Sequence, residues 1–137
     1  MAFLPKRGYD GKTVRLQVAA QTFTKGDVCV DNGSGFLSRA AAGENGPNFF
    51  VAAETISTAA TEADYILFWR TDPSITFECD TDAAPARTDV GTEADLASAT
   101  QLNPDASADD VFYIEDIVGA TTNNKVIGHF VGGTAVA

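Results

Sequence analysis

The chain has 137 residues, a length that predicts one domain able to bury its own core without disulfides or metal ions. Hydrophobic residues make up 45% and charged residues 20%, which is ordinary for a globular protein and argues against global disorder. The net charge of -10 repels phosphate groups, so neither nucleic acid nor a membrane surface is expected as a partner.

The charge is unevenly distributed along the chain. Residues 1–39 carry six basic and three acidic side chains, whereas residues 40–137 carry three basic and 16 acidic ones. A basic N-terminal part and an acidic remainder favour docking on an acidic surface, either of another protein or of a neighbouring copy. The alternative is a solvated surface on which the clustering is accidental.

The N-terminus does not have the order of a secretory signal, because Lys6 and Arg7 follow the first apolar residues and no apolar stretch comes after them. No run of the sequence has the length of a membrane span. We therefore expect a soluble protein that is synthesised in the cytoplasm.

Residues 1–12 combine Pro5, Gly8 and Gly11 with apolar and basic side chains, and such a segment is not expected to form a regular element by itself. The sequence predicts an extended N-terminal arm that becomes ordered against a partner. The alternative is a frayed terminus without a role. The candidate capsid or self-interaction residues of this arm are Phe3, Leu4, Lys6, Arg7, Tyr9 and Lys12.

Two strand patterns follow the arm. Thr13–Val18 alternates apolar and polar residues, which predicts a strand with one buried face. The runs 26–30 and 36–39 flank Asn32-Gly33, a pair that favours the tight turn of a hairpin. Asn32 also begins an N-glycosylation pattern, but the turn is the preferred interpretation.

The stretch Tyr65–Asp80 holds the densest large apolar volume in the chain, including the single tryptophan, Trp69. The core is therefore predicted to gather here. Asp72-Pro73 divides it into a run that suits a strand covered on both faces and an alternating run that suits a strand with one wet face. Before it, Phe49–Ile56 predicts another strand.

The remainder of the chain alternates loops and strand patterns. Residues 81–91 predict a loop, and Thr92–Ala99 fits either a capped helical turn or a short strand. After the acidic loop Asn103–Asp110, the runs Val111–Val118 and Lys125–Val131 predict an antiparallel hairpin. About eight strands and almost no helix predict an all-β fold, a single compact antiparallel β-barrel or β-sandwich over residues 13–131, with a flexible tail at 132–137.

The sequence does not contain a recognisable catalytic or cofactor site. His129 is the only histidine and lies in a strand pattern, where a structural role is expected. Cys29 and Cys79 also lie in strand patterns and are expected to be buried and free rather than paired. The acid pairs Asp80/Asp82 and Asp109/Asp110 do not continue into a calcium-loop pattern, and one histidine with two distant cysteines does not make a zinc set. We expect no enzyme activity, no metal and no cofactor.

A different class of function is a carbohydrate- or ligand-binding β-sandwich. Trp69 or Tyr113 would then be the stacking platform. Both residues lie in apolar runs, so core packing is the preferred interpretation.

The second half of the chain contains a succession of short strand and loop stretches. They are Phe77-Glu-Cys-Asp80, Arg87-Thr-Asp-Val-Gly91-Thr, Asp95-Leu96, Val111-Phe-Tyr-Ile-Glu-Asp and Lys125-Val-Ile-Gly-His-Phe-Val131. The span from Phe77 to Val131, together with Lys25-Gly-Asp-Val-Cys-Val30, the Gly turn after it and the second strand up to Arg39, covers somewhat over half of the chain. In strand order, in the Val-Gly step and in the terminal hairpin, this succession resembles small virion proteins of tailed bacteriophages, in particular capsid decoration (cement) proteins.

The resemblance implies a barrel of the β-tulip kind on the exterior of an icosahedral capsid in the virion. Its partners would be the major capsid protein and neighbouring copies of itself, as a homotrimer at local threefold positions. The protein would reinforce the shell and catalyse nothing, and the family provides no polar site residues to carry over. The chain is too short for a major capsid protein of the common tailed-phage fold. The alternative within the virion is a neck, tail or fibre-base protein.

Overall fold

The computed structural model describes residues 2–44, 49–56, 64–107 and 109–131. This part of the chain forms eleven strands and two short 3-10 helices, Arg87–Asp89 and Thr121–Asn123. The strands are β1 (Phe3–Arg7), β2 (Thr13–Gln17), β3 (Val28–Asp31), β4 (Leu37–Arg39), β5 (Phe50–Ala52), β6 (Tyr65–Arg70), β7 (Thr76–Thr81), β8 (Glu93–Leu96), β9 (Gln101–Asn103), β10 (Phe112–Ile117) and β11 (Lys125–Phe130). The all-β prediction is confirmed.

Six strands form a sheet in the order β1-β7-β11-β10-β8-β9, and β9 pairs back with β7. Strands β7 to β11 therefore form a closed five-stranded barrel, and β1 lies beside β7. The β7–β9 pairing is parallel, whereas the other pairings are antiparallel. A closed ring of five strands cannot alternate direction at every junction, so one junction must be parallel. The predicted barrel is therefore present, and it departs from the predicted antiparallel pairing at this one junction.

The other five strands form an antiparallel sheet in the order β2-β6-β5-β3-β4. This sheet also curls, and its two outer strands meet at one parallel bridge between Val18 and Leu37. Because neighbouring strands in this sheet are all antiparallel, the first and the last of its five strands run in the same direction, and the bridge between them is parallel. Beyond this bridge, no pairing joins β2 to β4 in the described residues.

Side-chain alternation in the second sheet divides the apolar residues between two cores. Val28 and Val51 face the main core, which the sheet shares with the barrel, whereas Cys29 and Ala52 face a smaller core inside the curled sheet. Strands β3 and β5 are thus buried on both faces, which explains their uninterrupted apolar sequences. The shared core joins the two sheets into one body.

The prediction that residues 1–12 do not form a regular element was wrong for Phe3–Arg7. These residues form β1, which pairs antiparallel with β7 in the register Phe3 to Cys79. The Phe3 ring is fully buried, and its centroid lies 5.7 Å from that of Phe112 and 5.5 Å from that of Phe130. An edge strand tolerates a proline, so Pro5 does not prevent the pairing. Burial of an aromatic ring holds this segment on the barrel.

Several finer predictions can be compared with the described residues. The hairpins β3–β4 and β10–β11 are confirmed. The strand interpretation of residues 92–99 is correct and the helical one wrong, because Glu93–Leu96 forms β8. The two runs of Tyr65–Asp80 form β6 and β7, which belong to different sheets. The prediction that the first run is covered on both faces was wrong, because β6 buries Ile66 and Phe68 but leaves Tyr65 exposed and the other side chains half-buried. The predicted tail, residues 132–137, lies outside the described residues.

Candidate functional site

The six residues predicted for interaction lie in three environments. Four are on β1, one of them with its side chain in the core, and two are in the turn between β1 and β2. On β1, the side chain of Leu4 is half-buried, and the basic side chains of Lys6 and Arg7 are exposed. In chain order, the set is Phe3 in the core, Leu4, Lys6 and Arg7 on β1, and Tyr9 and Lys12 in the turn.

The basic side chains of β1 are matched by acids of the barrel. The Lys6 Nζ lies 3.6 Å from Glu78, and an Arg7 guanidinium nitrogen lies 3.8 Å from Glu115. The second carboxylate oxygen of Glu115 lies 2.8 Å from Nδ1 of His129. Lys6 and Arg7 are 48% and 68% exposed, so each pair contributes at most about 1 kcal/mol. The pairing makes this face nearly neutral, which weakens its attraction for an acidic partner.

The turn after β1 is fastened to the connection between β6 and β7. The Lys12 ammonium lies 3.1 Å from Asp72, and Gly8 packs so closely on the backbone of Ser74 that a Cβ would overlap it. Partial burial acts to raise the pKa of Asp72, but hydrogen bonds from Ser74 and Lys12 outweigh it and hold the pKa below its ordinary value. Both connections cross from one sheet to the other, so this contact fixes the sheets relative to each other. Tyr9 projects from the same turn and is 37% exposed.

The two aromatic residues considered as stacking platforms are covered by their own chain. The Tyr113 ring lies against the His129 ring, with centroids 5.1 Å apart. Trp69 packs against the main core, and the Lys25 ammonium lies 5.7 Å from its ring centroid. Neither ring is among the large hydrophobic side chains that the described surface exposes. The predicted core packing is confirmed for Trp69, whereas it was wrong for Tyr113, which packs on His129 and belongs to neither core.

The cysteines are free and buried, as expected. Burial, with a smaller contribution from the charge of Asp27, raises the pKa of Cys29 far above its ordinary value. Burial also raises the pKa of Cys79, and the charge of Glu78 adds to this. A thiol in such an environment stays protonated and is a poor nucleophile.

The acid pairs considered for calcium binding make contacts within the chain, through the carboxylate of Asp80 and the backbone amides of Asp109 and Asp110. Asp80 accepts a hydrogen bond from the ammonium group of Lys125 at 2.5 Å. The backbone amides of Asp109 and Asp110 both donate to the carboxylate of Asp95, at 2.8 and 2.9 Å. Among residues 2–44, 49–56, 64–107 and 109–131, no group of three or more His, Cys, Asp or Glu side chains is placed to hold a metal ion.

A groove that the sequence did not predict opens on the curled second sheet. It has a volume of about 480 Å³ and lies between β2 and the β3–β4 hairpin. Val14, Leu16 and Phe50 form its apolar part, and Arg70 and Tyr65 also line it. Tyr65 is 59% exposed, more than any other large hydrophobic side chain among the described residues. The one feature of the sequence that pointed to this groove is that Tyr65 and Arg70 stand at the two ends of an otherwise apolar run. This feature does not predict that the two residues lie near β2 and β4.

Comparisons with protein-family models, with curated proteins and with solved structures find no match to this chain. Within the part of the chain that the structure describes, no helix is long and apolar enough to cross a membrane.

Proposed function

We propose that this protein is a structural component of a tailed-bacteriophage virion. In this role it binds the outer surface of an icosahedral capsid and stabilises the shell, without catalysis. The observation that carries the proposal is that the stretches resembling decoration proteins, between Phe77 and Val131, supply β7, β10 and β11 and the end of β8. Residues that resemble one family therefore make three neighbouring strands, β7, β11 and β10, of one closed structural unit, the barrel.

The construction of the fold suits a reinforcing role. The barrel closes on itself, and the curled second sheet packs against it through a shared apolar core. The Lys12–Asp72 pair joins the two sheet-to-sheet connections at one end. Because the two sheets are close-packed and joined in this way, the protein is expected to be rigid and to deform little when the capsid shell is under force.

The partners in this proposal are the major capsid protein and neighbouring copies of the same chain, arranged as homotrimers at local threefold positions. Each contact of a small protein is weak, but many copies on a repetitive shell bind with high total strength. The location is the capsid exterior, after synthesis in the host cytoplasm. Since Phe3 is buried and Lys6 and Arg7 are paired, the first strand contributes mainly by packing on the barrel.

Co-sedimentation tests the proposal directly. The purified protein is mixed with empty heads assembled from the major capsid protein of the same genome, and the bound amount is measured against added protein. We expect saturation at a fixed ratio to capsid subunits and a higher melting temperature of the decorated heads. The absence of saturable binding would refute the capsid role. Saturation at only a few copies per head would favour a neck, tail or fibre-base protein instead.

A further inference from the structure

Hydrogen bonds at the two ends of β2 fix the direction of its backbone groups. The amide of Arg70 donates to the carbonyl of Lys12 at 2.8 Å, and the amide of Val18 donates to the carbonyl of Asp64 at 3.2 Å. Backbone groups of successive residues in an antiparallel strand point to opposite edges. The even-numbered residues of β2 therefore face β6, and the odd-numbered ones face the other edge.

The odd-numbered residues of β2 are Thr13, Arg15 and Gln17. The next residue in this series is Ala19, and its amide donates to the carbonyl of Leu37 at 2.9 Å. At Ala19, this edge is therefore hydrogen-bonded to β4. Between Thr13 and Gln17, no strand of the described chain pairs with the same edge. This short edge thus presents amide and carbonyl groups that can accept a further strand.

The groove occupies the place where that strand would lie. The second sheet is joined at the bridge between Val18 and Leu37 and open beyond it, and the groove lies in this opening. Strands β2 and β4 are parallel at the bridge, so a segment antiparallel to β2 would be antiparallel to β4 as well. With this added segment the second sheet would have six strands, an even number. All of its junctions, including the two that the segment makes with β2 and β4, could then be antiparallel.

The polar lining of the groove favours a negatively charged occupant. The side chain of Arg70 lines the groove and is half-buried, and no acidic group among the described residues pairs with it. Arg15 adds a second guanidinium, whose ion pair with Glu54 is long at 3.4 Å and partly exposed. Asp31 also lines the groove, but its carboxylate already accepts amides of its own turn at 2.7 and 3.2 Å. A carboxylate is the group that best matches an arginine in this setting.

We propose that the free edge of β2 binds an extended acidic segment of another polypeptide as an added strand. Backbone hydrogen bonds to Arg15 and Gln17 hold the segment, and alternate side chains enter the apolar part of the groove. A carboxylate of the segment pairs with Arg70, and Tyr65 is covered on binding. This binding mode does not require the capsid role.

The probe for this site is a blocked heptapeptide of alternating threonine and valine with one central aspartate, together with its asparagine counterpart. Each peptide is titrated into the full-length ¹⁵N-labelled protein, and amide shifts and amide exchange are recorded. We expect shifts and protection at Thr13, Arg15 and Gln17. The asparagine peptide should bind on the order of tenfold more weakly, because it lacks the charge for Arg70.

Two pairs of variants separate the backbone and charge contributions. Gln17→Pro removes an amide that points away from β6, so it should abolish binding and leave the sheet intact, whereas Gln17→Thr keeps the amide and should bind normally. Arg70→Gln should remove the preference for the aspartate peptide. Arg87→Gln, which makes the same charge change at a residue outside the groove, should retain that preference. The amide spectrum of each variant without peptide shows whether it is folded.

Three results would overturn the proposal. The first is the absence of shifts along β2 at millimolar peptide. The second is equal binding of the two peptides, or binding that survives both Gln17→Pro and Arg70→Gln. The third is protection of the β2 edge without peptide in a sample that sedimentation shows to be a dimer, which would make a second copy the occupant.

Discussion

Replacing Phe3 with alanine tests whether the first strand is an integral part of the barrel. The Phe3 ring is fully buried and lies 5.7 and 5.5 Å, between centroids, from the rings of Phe112 and Phe130. Truncation of a buried phenylalanine to alanine costs about 3–5 kcal/mol, which includes the loss of aromatic contacts and the cavity left behind. Because β1 is an edge strand that can shift toward the cavity, we expect the lower end of this range, about 3 kcal/mol.

Urea unfolding followed by the fluorescence of Trp69 measures this loss. For a urea dependence of about 1–3 kcal/mol per molar, the midpoint of Phe3→Ala should fall by about 1–3 M with an unchanged slope. The matched variant is Tyr9→Ala, because Tyr9 is 37% exposed and its truncation should change stability by about 0.5 kcal/mol or less. If the two variants have the same midpoint, Phe3 does not pack in the core and the reasoning is refuted.

Three further predictions concern single contacts. A Cβ on Gly128 would overlap the backbone carbonyl oxygen of Tyr113, so Gly128→Ala should force β10 from β11 and cost about 3 kcal/mol or more in the same assay; an unchanged midpoint would contradict the pairing. The pKa of Asp72 is lowered in the folded state, so its stabilisation is present above the ordinary value of about 3.9 and is lost as the pH falls through the folded value. The stability difference between wild type and Asp72→Asn should therefore be largest near neutral pH and shrink below about pH 4; a constant difference from pH 7 to pH 2.5 would count against it. Finally, Cys29 and Cys79 should be unreactive toward a disulfide reagent in the folded protein and both reactive in urea, and rapid reaction of either native thiol would disprove its burial.

The sequence was sufficient to predict the elements whose formation depends on near neighbours. The hairpin around Asn32-Gly33 and the hairpin formed by β10 and β11 were predicted because a turn and two flanking apolar runs lie within about twenty residues of one another. The buried face of β7 followed from the alternation of Phe77 and Cys79 with polar residues, because successive side chains of a strand point to opposite faces.

The first strand shows why local reasoning was insufficient elsewhere. Residues 1–12 contain Pro5 and two turn-favouring glycines, and nothing within the segment supplies a partner for Phe3. The partners are the Phe112 and Phe130 rings, more than 100 positions away in the sequence. Burial against them outweighs the poor local strand propensity of the segment.

What the sequence alone determined is the all-β class, the positions of most strands along the chain and the buried face of the clearly alternating ones such as β7. These properties depend on the alternation of side chains and on turn residues, which act within a few positions. Only the tertiary structure decided that β6 and β7 belong to different sheets, that a five-stranded ring needs one parallel junction, and that β2 keeps a free edge beside a groove. The physical reason is that sheet closure depends on how distant strands pack around a shared core. The curvature of the second sheet, which this packing produces, sets the distance between β2 and β4, and the sequence of the segment that connects them does not.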